Sequence, residues 1–218
     1  LIFIAGGSIN PSKFRFLAPS VGHQGLVVTE NMYRKDPAAV APLLELRPPA
    51  NVPELRMLLG VFEEDRKSIP NYGIFAGVLT PLLSATGGPW AWDDAVQGEA
   101  LRAPQVGLAR ATSRYMPDFS KPVHGFGDGS TKAGISGLAA QMGEDGSWQT
   151  LAYYSRPPTK AELTKGATAM EVRTAAWLMK EAKNLTTGTR VYYHTDALSM
   201  QTMTPGTGDL DVHTAADL

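Results

Sequence analysis

With 218 residues, of which 43% are hydrophobic and 19% charged, the chain has the composition of a globular protein rather than a disordered one. It lacks cysteine, which excludes disulfide frameworks and cysteine-ligated zinc, and no apolar run approaches the ~20 residues of a membrane-spanning helix. The formal net charge of −1 disfavours a nucleic-acid enzyme unless the basic residues are clustered. Because the first residue is Leu, we expect a fragment or a processed product.

The first half of the chain predicts helices. A proline-rich linker at residues 47–53 leads into a helix that Asn51 caps, with Pro53 and Glu54 in its first turn. Its apolar residues recur with i, i+3, i+4, i+7 spacing, at Leu55, Leu58, Leu59 and Phe62. A second helix is predicted over residues 74–83, and a third from Asp93 to about Pro104, where proline ends the helical pattern.

The second half predicts a mixed sheet. Four strand-like segments occupy residues 123–128, 133–142, 148–155 and 190–195, and residues 143–146 suit a hairpin turn. Residues 168–185 predict one amphipathic helix, whose apolar face comprises Val172, Ala175, Ala176, Met179 and Ala182. A helix between the third and fourth strands is expected to cross over the sheet, so that the fourth strand lies parallel to an earlier one.

Three carboxylates occupy positions that this topology would bring together. Asp128 ends the first strand, Glu171 lies in the first turn of the helix, and Asp196 follows the fourth strand. Three clustered carboxylates repel one another unless cations neutralise them, and hard oxygen ligands suit Mg²⁺ or Mn²⁺. Two such ions about 4 Å apart can activate water and stabilise the leaving oxygen of a phosphodiester.

Several motifs resemble one known family. Residues 49–60 (PANVPELRMLLG) and 66–71 (RKSIPN) are similar to "P-x-N-V-x-E-L-R-S-F-L-G … Y-R-R-F-I-P-N" of gypsy-type LTR retrotransposon Pol polyproteins. Residues 117–122 (PDFSKP) resemble the "P-D-F-S-K-P-F" that opens that family's ribonuclease H domain. Weaker similarities occur in the same order along the chain, at residues 10–14, 22–26, 76–83 and 90–97. The resemblance therefore covers nearly the whole chain.

The resemblance implies an α/β architecture in three parts. Residues 1–46 would be a remnant of the reverse transcriptase palm, residues 47–116 a mainly helical thumb/connection region, and residues 117–218 a ribonuclease H-like mixed sheet with a crossover helix. The implied activity is two-metal hydrolysis of the RNA strand in an RNA·DNA hybrid, with Mg²⁺ or Mn²⁺ as cofactor.

The same resemblance assigns the catalytic and metal-binding residues. The family's "T-D-A-S" aspartate matches Asp128, its "E-x-x-A-x-x-W-A-L-K" glutamate matches Glu171, and its "T-D-H-x-x-L" aspartate matches Asp196. Asp217 falls on the family's last aspartate. Asp128 and Asp196 would bind or bridge the ions, Glu171 would ligate an ion or position water, and Asp217 would complete the second ion's shell.

Departures from the family pattern leave two functions open. The polymerase motif "Y-x-D-D" is absent, so DNA synthesis is not expected, and the acidic run Glu63–Asp65 opposes hybrid binding. About twenty residues separate Asp196 from Asp217, which indicates either a degenerate domain that lacks its fifth strand or a gap after residue 203. The chain is thus either a hybrid-cleaving nuclease or a domesticated, inactive fragment that serves as a structural subunit of a larger protein complex.

Two groups of aromatic residues carry no predicted function. His124, His194 and His213 show no spacing typical of metal ligands, and His194 is expected to be an ordinary strand residue. The four tryptophans, at positions 90, 92, 148 and 177, predict core anchors rather than a base-stacking platform, because nothing in the sequence groups them on one face.

Overall fold

The N-terminal part of the chain combines a small antiparallel sheet with helices. The computed structural model describes residues 17–84, 90–110 and 113–195, and the backbone of residues 210–214. The strands β1 (Ser20–His23), β2 (Leu26–Thr29) and β3 (Met32–Lys35) form a meander, and β4 (Arg114–Tyr115) pairs with β3. This sheet is therefore completed by a strand that follows the helices in sequence.

Between β3 and β4, the described residues form four α-helices. They are α1 (Pro37–Leu44), α2 (Val52–Glu63), α3 (Tyr72–Leu79) and α4 (Glu99–Arg110). The 3₁₀ turn Thr80–Ser84 extends α3, and the π-helical turn Asp94–Gly98 leads into α4. Their buried apolar side chains form two clusters, one around Phe62, Ile69 and Leu108 and one around Leu55 and Leu79. This is the mainly helical region that the sequence predicts.

The predicted start of α2 is confirmed, whereas the predicted end of α4 is wrong. The Asn51 side chain accepts a hydrogen bond from the Glu54 backbone N–H (2.9 Å), which is the predicted cap. The prediction that the third helix ends near Pro104 is wrong, because α4 continues through this proline to Arg110. Pro104 and Leu108 are buried, and Gln105 Nε2 donates to the Leu43 carbonyl (2.9 Å). Tertiary packing here outweighs the helix hydrogen bond that a proline removes.

The C-terminal part is a five-stranded mixed sheet. Its strands are β5 (Val123–Ser130), β6 (Gly134–Met142), β7 (Trp148–Arg156), β8 (Val191–Thr195) and β9 (Leu210–Thr214), in the order β7-β6-β5-β8-β9. The β5–β6–β7 meander is antiparallel, whereas β8 runs parallel to both β5 and β9. The predicted crossover and parallel fourth strand are confirmed. A fifth strand is present at Leu210–Thr214, which argues against the alternative of a degenerate domain that lacks it.

The crossover helix is shorter than the sequence predicts, and it buries the predicted face apart from Ala176. Helix α5 (Ala167–Glu181) ends before Ala182, and the short helix α6 (Lys183–Thr186) follows. Ala175 and Ala182 are buried, and Val172 and Met179 pack against the same core. The helix also buries Met170, Thr174 and Leu178, which the sequence pattern does not include. The glycines of the sheet explain this face, because Leu178 fills the space above Gly137 and packs near Gly125.

The helical region covers the outer edge of β7. The Lys67 carbonyl accepts a hydrogen bond from the Tyr153 backbone N–H (2.9 Å), and the Gly73 N–H donates to Ser155 Oγ (2.7 Å). The first bond pairs a backbone N–H that an open edge strand would expose, and the second joins the start of α3 to a side chain of β7. Among the described residues, no helix is long and apolar enough to cross a membrane.

Candidate active site

Three alternating glycines let α5 lie directly against β5. Gly125, Gly127 and Gly129 face the helix, and a Cβ atom at Gly127 would overlap the Tyr193 hydroxyl. A Cβ at Gly129 would overlap Thr174 Oγ1 and would stand 3.1 Å from the Met170 carbonyl oxygen. The N-terminal half of the helix is thereby held against the end of β5, next to Asp128.

Asp128 lies on the opposite face of the sheet. Side chains alternate along a strand, so the residue between Gly127 and Gly129 points away from α5. Asp128 is exposed and lines a pocket of about 430 Å³. The other residues that line this pocket are Pro70, Asn71, Phe126, Gly127, Ser136, Gly137, Leu138, Tyr153, Tyr154, His194 and Thr195. The carboxylate therefore faces a space that a substrate can reach.

The end of β8 reaches the same pocket. In the parallel pairing of β5 with β8 each residue lies opposite the one 68 positions later, from Val123 opposite Val191 to Phe126 opposite His194. Thr195, the last residue of β8, is buried and lines the pocket together with Asp128. Asp196 comes next in the sequence and lies outside the described residues, as does Asp217.

Glu171 occupies the second turn of α5. Its side chain is half-buried, and its Oε2 atom is fully buried. Glu171 does not line the pocket beside Asp128, but its neighbour Met170 lies against Gly129. The structure thus brings the strand of Asp128 and the helix of Glu171 together. Within the described part of the chain, no group of three or more potential metal-ligating side chains occurs, so convergence of all four carboxylates stays a prediction.

An anchored loop sets the position of α5. Arg156, at the end of β7, forms two hydrogen bonds with the buried Glu162 carboxylate (2.7 and 2.8 Å), and the Thr159 N–H donates to the same group (2.8 Å). The Arg156 hydrogen bonds hold the pKa of Glu162 at about 2, well below its usual value. The Arg156 guanidinium also lies 5.2 Å from the centre of the Trp177 ring on α5. Strand, loop and helix are joined by this one arginine.

The acidic run of the helical region is partly neutralised within the protein. Asp65 is buried and pairs with Lys35 of β3 at 2.7 Å, and Glu63 pairs with Arg66 at 2.8 Å. Neither side chain lines the pocket beside Asp128. The run therefore opposes nucleic-acid binding less than its sequence alone predicts.

Sequence reasoning missed a cluster of rings on the face that carries Asp128. His124 Nδ1 lies 2.8 Å from His194 Nε2, Phe126 stacks on His194 with ring centres 4.5 Å apart, and Trp148 contacts Phe126 edge-on. Tyr192 stacks on His124. Alternation along β5 and β8 is the signal that could have found this cluster. Trp148 is 37% exposed, so its prediction as a core anchor is wrong, whereas His194 is the strand residue expected.

The family comparison decides what kind of domain carries this pocket. The family described as an RNase H-like domain found in reverse transcriptase matches residues 118–214. Residues 118–214 therefore have an RNase H-like fold and are similar to the domains of this kind in reverse transcriptases. The match begins within residues 117–122 and ends at the last residue of β9, so the RNase H-like domain includes both Asp128 and Glu171.

Two retrotransposon proteins resemble most of the chain. The Pol polyprotein of the transposon opus of Drosophila melanogaster is 28% identical over 181 residues, which cover 78% of this chain. The Pol polyprotein of the transposon gypsy of the same species is 23% identical over 192 residues, which cover 84%. The chain is thus related to retrotransposon Pol, as its motifs predict, and it spans 18% of the length of each relative.

Solved structures support the fold of the RNase H-like domain and of the region before it. The foamy viral protease-reverse transcriptase in complex with dsDNA matches 93% of this chain and 46% of its own, with a TM-score of 0.75 and 19% identity. The same viral protein in complex with an RNA/DNA hybrid matches 93% of this chain and 30% of its own, with a TM-score of 0.74 and 18% identity. At these identities the likeness establishes the fold alone.

Proposed function

We propose that this chain processes nucleic acid as a ribonuclease H, hydrolysing the RNA strand of an RNA·DNA hybrid. The observation that carries the proposal is Asp128, an exposed carboxylate on a pocket at which β5 and the end of β8 meet in parallel. The family match and the fold shared with a reverse transcriptase bound to an RNA/DNA hybrid support the same activity.

The proposed catalytic set is Asp128, Glu171, Asp196 and Asp217. Continuation of the register of β5 and β8 for two more residues would put Asp196 opposite Asp128. Glu171 would approach from the helix side of β5, where Met170 contacts Gly129. The proposed boundaries of the three parts are residues 1–46, 47–116 and 117–218.

The donor chemistry of this set fits Mg²⁺ or Mn²⁺. The four side chains offer carboxylate oxygens, which are the hard ligands that these ions prefer, and the absence of cysteine excludes thiolate ligation. Bound ions would supply activation of water and stabilisation of the leaving oxygen. Asp128 and Asp196 would hold them, Asp217 would complete the shell of the second ion, and Glu171 would ligate an ion or orient the attacking water.

The protein's own residues also prepare the site. The buried side of β5 is packed by Thr174 and Tyr193 against glycines, which fixes the backbone on both sides of Asp128. The Arg156–Glu162 pair fixes the loop that leads into α5 and so the position of Glu171. A rigid backbone keeps catalytic carboxylates at a productive distance without cost at the moment of reaction.

The test is cleavage of a 5′-labelled RNA·DNA hybrid in Mg²⁺ by the purified chain. Asp128→Asn removes a charge with almost no change of volume and should lower the rate by more than about a hundredfold, since even partners outside the ligand shell contribute 10–100-fold. Asp145→Asn is the matched control, because Asp145 is an exposed carboxylate in the β6–β7 turn. It should cleave like the unmodified chain.

The same assay separates the alternative function. A domesticated, inactive subunit of a larger complex would leave the hybrid intact in Mg²⁺ and in Mn²⁺ while the chain remains folded. Cleavage that persists in Asp128→Asn would also contradict the proposal, because the activity would then belong to another site or to a contaminant.

A further inference from the structure

Three of the four histidines of the chain occupy neighbouring positions on three adjacent strands of the five-stranded sheet. His124 lies on β5 and His194 on β8, and their ring nitrogens Nδ1 and Nε2 are 2.8 Å apart. On β9, whose backbone alone is described, His213 is the register partner of His194. The fourth histidine, His23, lies on β1 in the other sheet. The fold thus gathers histidines that lie far apart in sequence, which their spacing along the chain does not reveal.

The rings of His124 and His194 meet edge to edge rather than face to face. Their planes differ by only 16°, and their centres are 5.1 Å apart. The 2.8 Å between Nδ1 and Nε2 spans more than half of that separation, so each nitrogen is directed at the other ring. When both rings are neutral, one proton occupies the space between the two nitrogens. Neutral imidazole nitrogens are also common metal ligands, so a cation can compete with this proton for the same space.

The space between these two nitrogens is close to the space that a zinc ion needs. Zn–N bonds of about 2.0–2.1 Å at a tetrahedral angle place two ligating nitrogens about 3.3 Å apart. The pair therefore has to open by about 0.5 Å, which rotation of the half-buried His124 ring about its soft χ2 torsion can supply. The bridging proton moves at the same time to the other nitrogen of the ring that carries it. Both ligating nitrogens then present lone pairs to the ion.

The surroundings of the histidine pair favour a nitrogen-ligated ion over Mg²⁺. Phe126 stacks on His194 with ring centres 4.5 Å apart, and both Trp148 and Tyr192 contact His124. These aromatic rings supply no carboxylate oxygen, which is the ligand that Mg²⁺ and Mn²⁺ prefer. His194 also lines the pocket beside Asp128, so an ion can reach the pair from solvent.

We propose that His124 and His194 bind a zinc ion on this face of the sheet, with water completing the coordination of the ion. The site differs in its ligands from the proposed carboxylate site, because imidazole nitrogens suit zinc, whereas carboxylate oxygens suit Mg²⁺ and Mn²⁺. Neither histidine belongs to the proposed catalytic set, so zinc binding does not depend on cleavage of a hybrid. An ion held by both rings joins β5 to β8, the two strands that lead to Asp128 and Asp196.

Isothermal titration calorimetry of the purified chain with ZnCl₂ in excess Mg²⁺ tests the site. The excess Mg²⁺ competes for carboxylates, so the heat reports binding to nitrogen ligands. His124→Gln removes one ligand and should weaken zinc binding at least about tenfold, since even groups outside the ligand shell contribute about 10–100-fold. The control, His23→Gln, removes the same ring from an exposed position on β1 and should bind zinc like the unmodified chain.

NMR of the unmodified chain keeps the test independent of any folding defect in the variant. One equivalent of Zn²⁺ should shift the imidazole signals of His124 and His194 and leave those of His23 in place. This pattern of shifts, or a loss of affinity confined to His124→Gln, supports the site. Absence of zinc binding to the unmodified chain overturns it, as does zinc binding that is lost in Asp128→Asn and retained in His124→Gln. None of these results requires cleavage of a hybrid, so the proposed function is tested separately.

Discussion

The five-stranded sheet and the helical region are held together by different interactions. In the sheet, glycine backbones approach buried side chains directly, as Gly127 approaches Tyr193 and Gly137 approaches Leu178. In the helical region, polar side chains join segments that are far apart in sequence. Trp90 Nε1 donates to the Pro49 carbonyl (3.0 Å), and Gln105 Nε2 donates to the carbonyls of Leu43 and Leu46.

This difference bears on how each region responds to substitution. Catalytic carboxylates need a rigid frame, which close packing between α5 and β5 supplies. The helical region needs a defined position relative to that frame, which a few specific polar contacts can set. Substitutions in the helical region should therefore change stability mainly by removing specific polar contacts or by disturbing its interface with β7. Substitutions in the sheet should act mainly through steric overlap and through loss of a buried ion pair.

The largest effect is expected at the buried salt bridge between Lys35 of β3 and Asp65, which follows α2. Lys35→Met leaves the Asp65 carboxylate buried without its 2.7 Å partner, which should lower the free energy of unfolding by about 3 kcal/mol. Denaturant unfolding measures the loss. Lys35→Met/Asp65→Leu is the control and should recover most of the stability, because no unpaired charge remains. If Lys35→Met were as stable as the unmodified chain, the salt bridge would contribute nothing to stability.

The second effect lies at the boundary of the two regions. A Cβ atom at Gly73 would overlap the Ser155 backbone carbonyl, so Gly73→Ala should destabilise the protein by about 2 kcal/mol and loosen the contact of α3 with β7. Gly60→Ala provides the comparison, since nothing lies within 4 Å of a Cβ there and alanine favours a helix. Equal stabilities in denaturant titration would show that the regions do not pack as described.

The third effect is specific to the sheet and depends on pH. Because Arg156 holds the pKa of Glu162 at about 2, below its unfolded value of 4.5, the pair stabilises the fold above pH 4.5. That contribution, about 2 kcal/mol, is lost as the pH falls from 4.5 towards 2. Glu162→Gln should therefore cost stability at pH 7 and much less near pH 2. Unfolding curves of both proteins across this range test it, and a constant difference would refute it.

The smallest effect concerns a local cap in the helical region. Asn51→Ala removes the acceptor for the Glu54 N–H and should lower stability by about 1 kcal/mol. Asn51→Ser retains an acceptor and should lower stability by only about a few tenths of a kcal/mol. Thermal unfolding distinguishes the two variants, and identical losses would mean that the cap contributes nothing.

Much of the sheet could be predicted because its signals are local. The strands β6 and β7 begin and end within one residue of the segments expected from alternation, and the turn at residues 143–146 is confirmed by the hydrogen bond from the Gly143 N–H to the Ser147 carbonyl. Alternation and turn glycines act over a few residues, so they can be read without the fold.

Other elements depend on contacts that the local pattern does not contain. Helix α1 includes Pro37 and Pro42 and was not expected, and α4 continues through Pro104 because its neighbours are buried against other segments. At the site, the sequence predicts Asp128 on the strand and Glu171 on the helix. It does not predict that β5 glycines face α5 while Asp128 faces the pocket, nor the rings that surround His194. Those features require the register of β5 with β8.

The central claim is that carboxylates from the strand and the helix serve one divalent-ion site. Titration of the isotopically labelled chain with small amounts of Mn²⁺ tests it most directly, because the ion broadens the NMR signals of nearby nuclei. The claim predicts that the backbone amides of Gly129, Glu171 and Thr195 broaden together and that Asp128→Asn weakens the effect at all three. Broadening that spares Glu171, or that is no stronger at these amides than at the Asp145 turn, would contradict it.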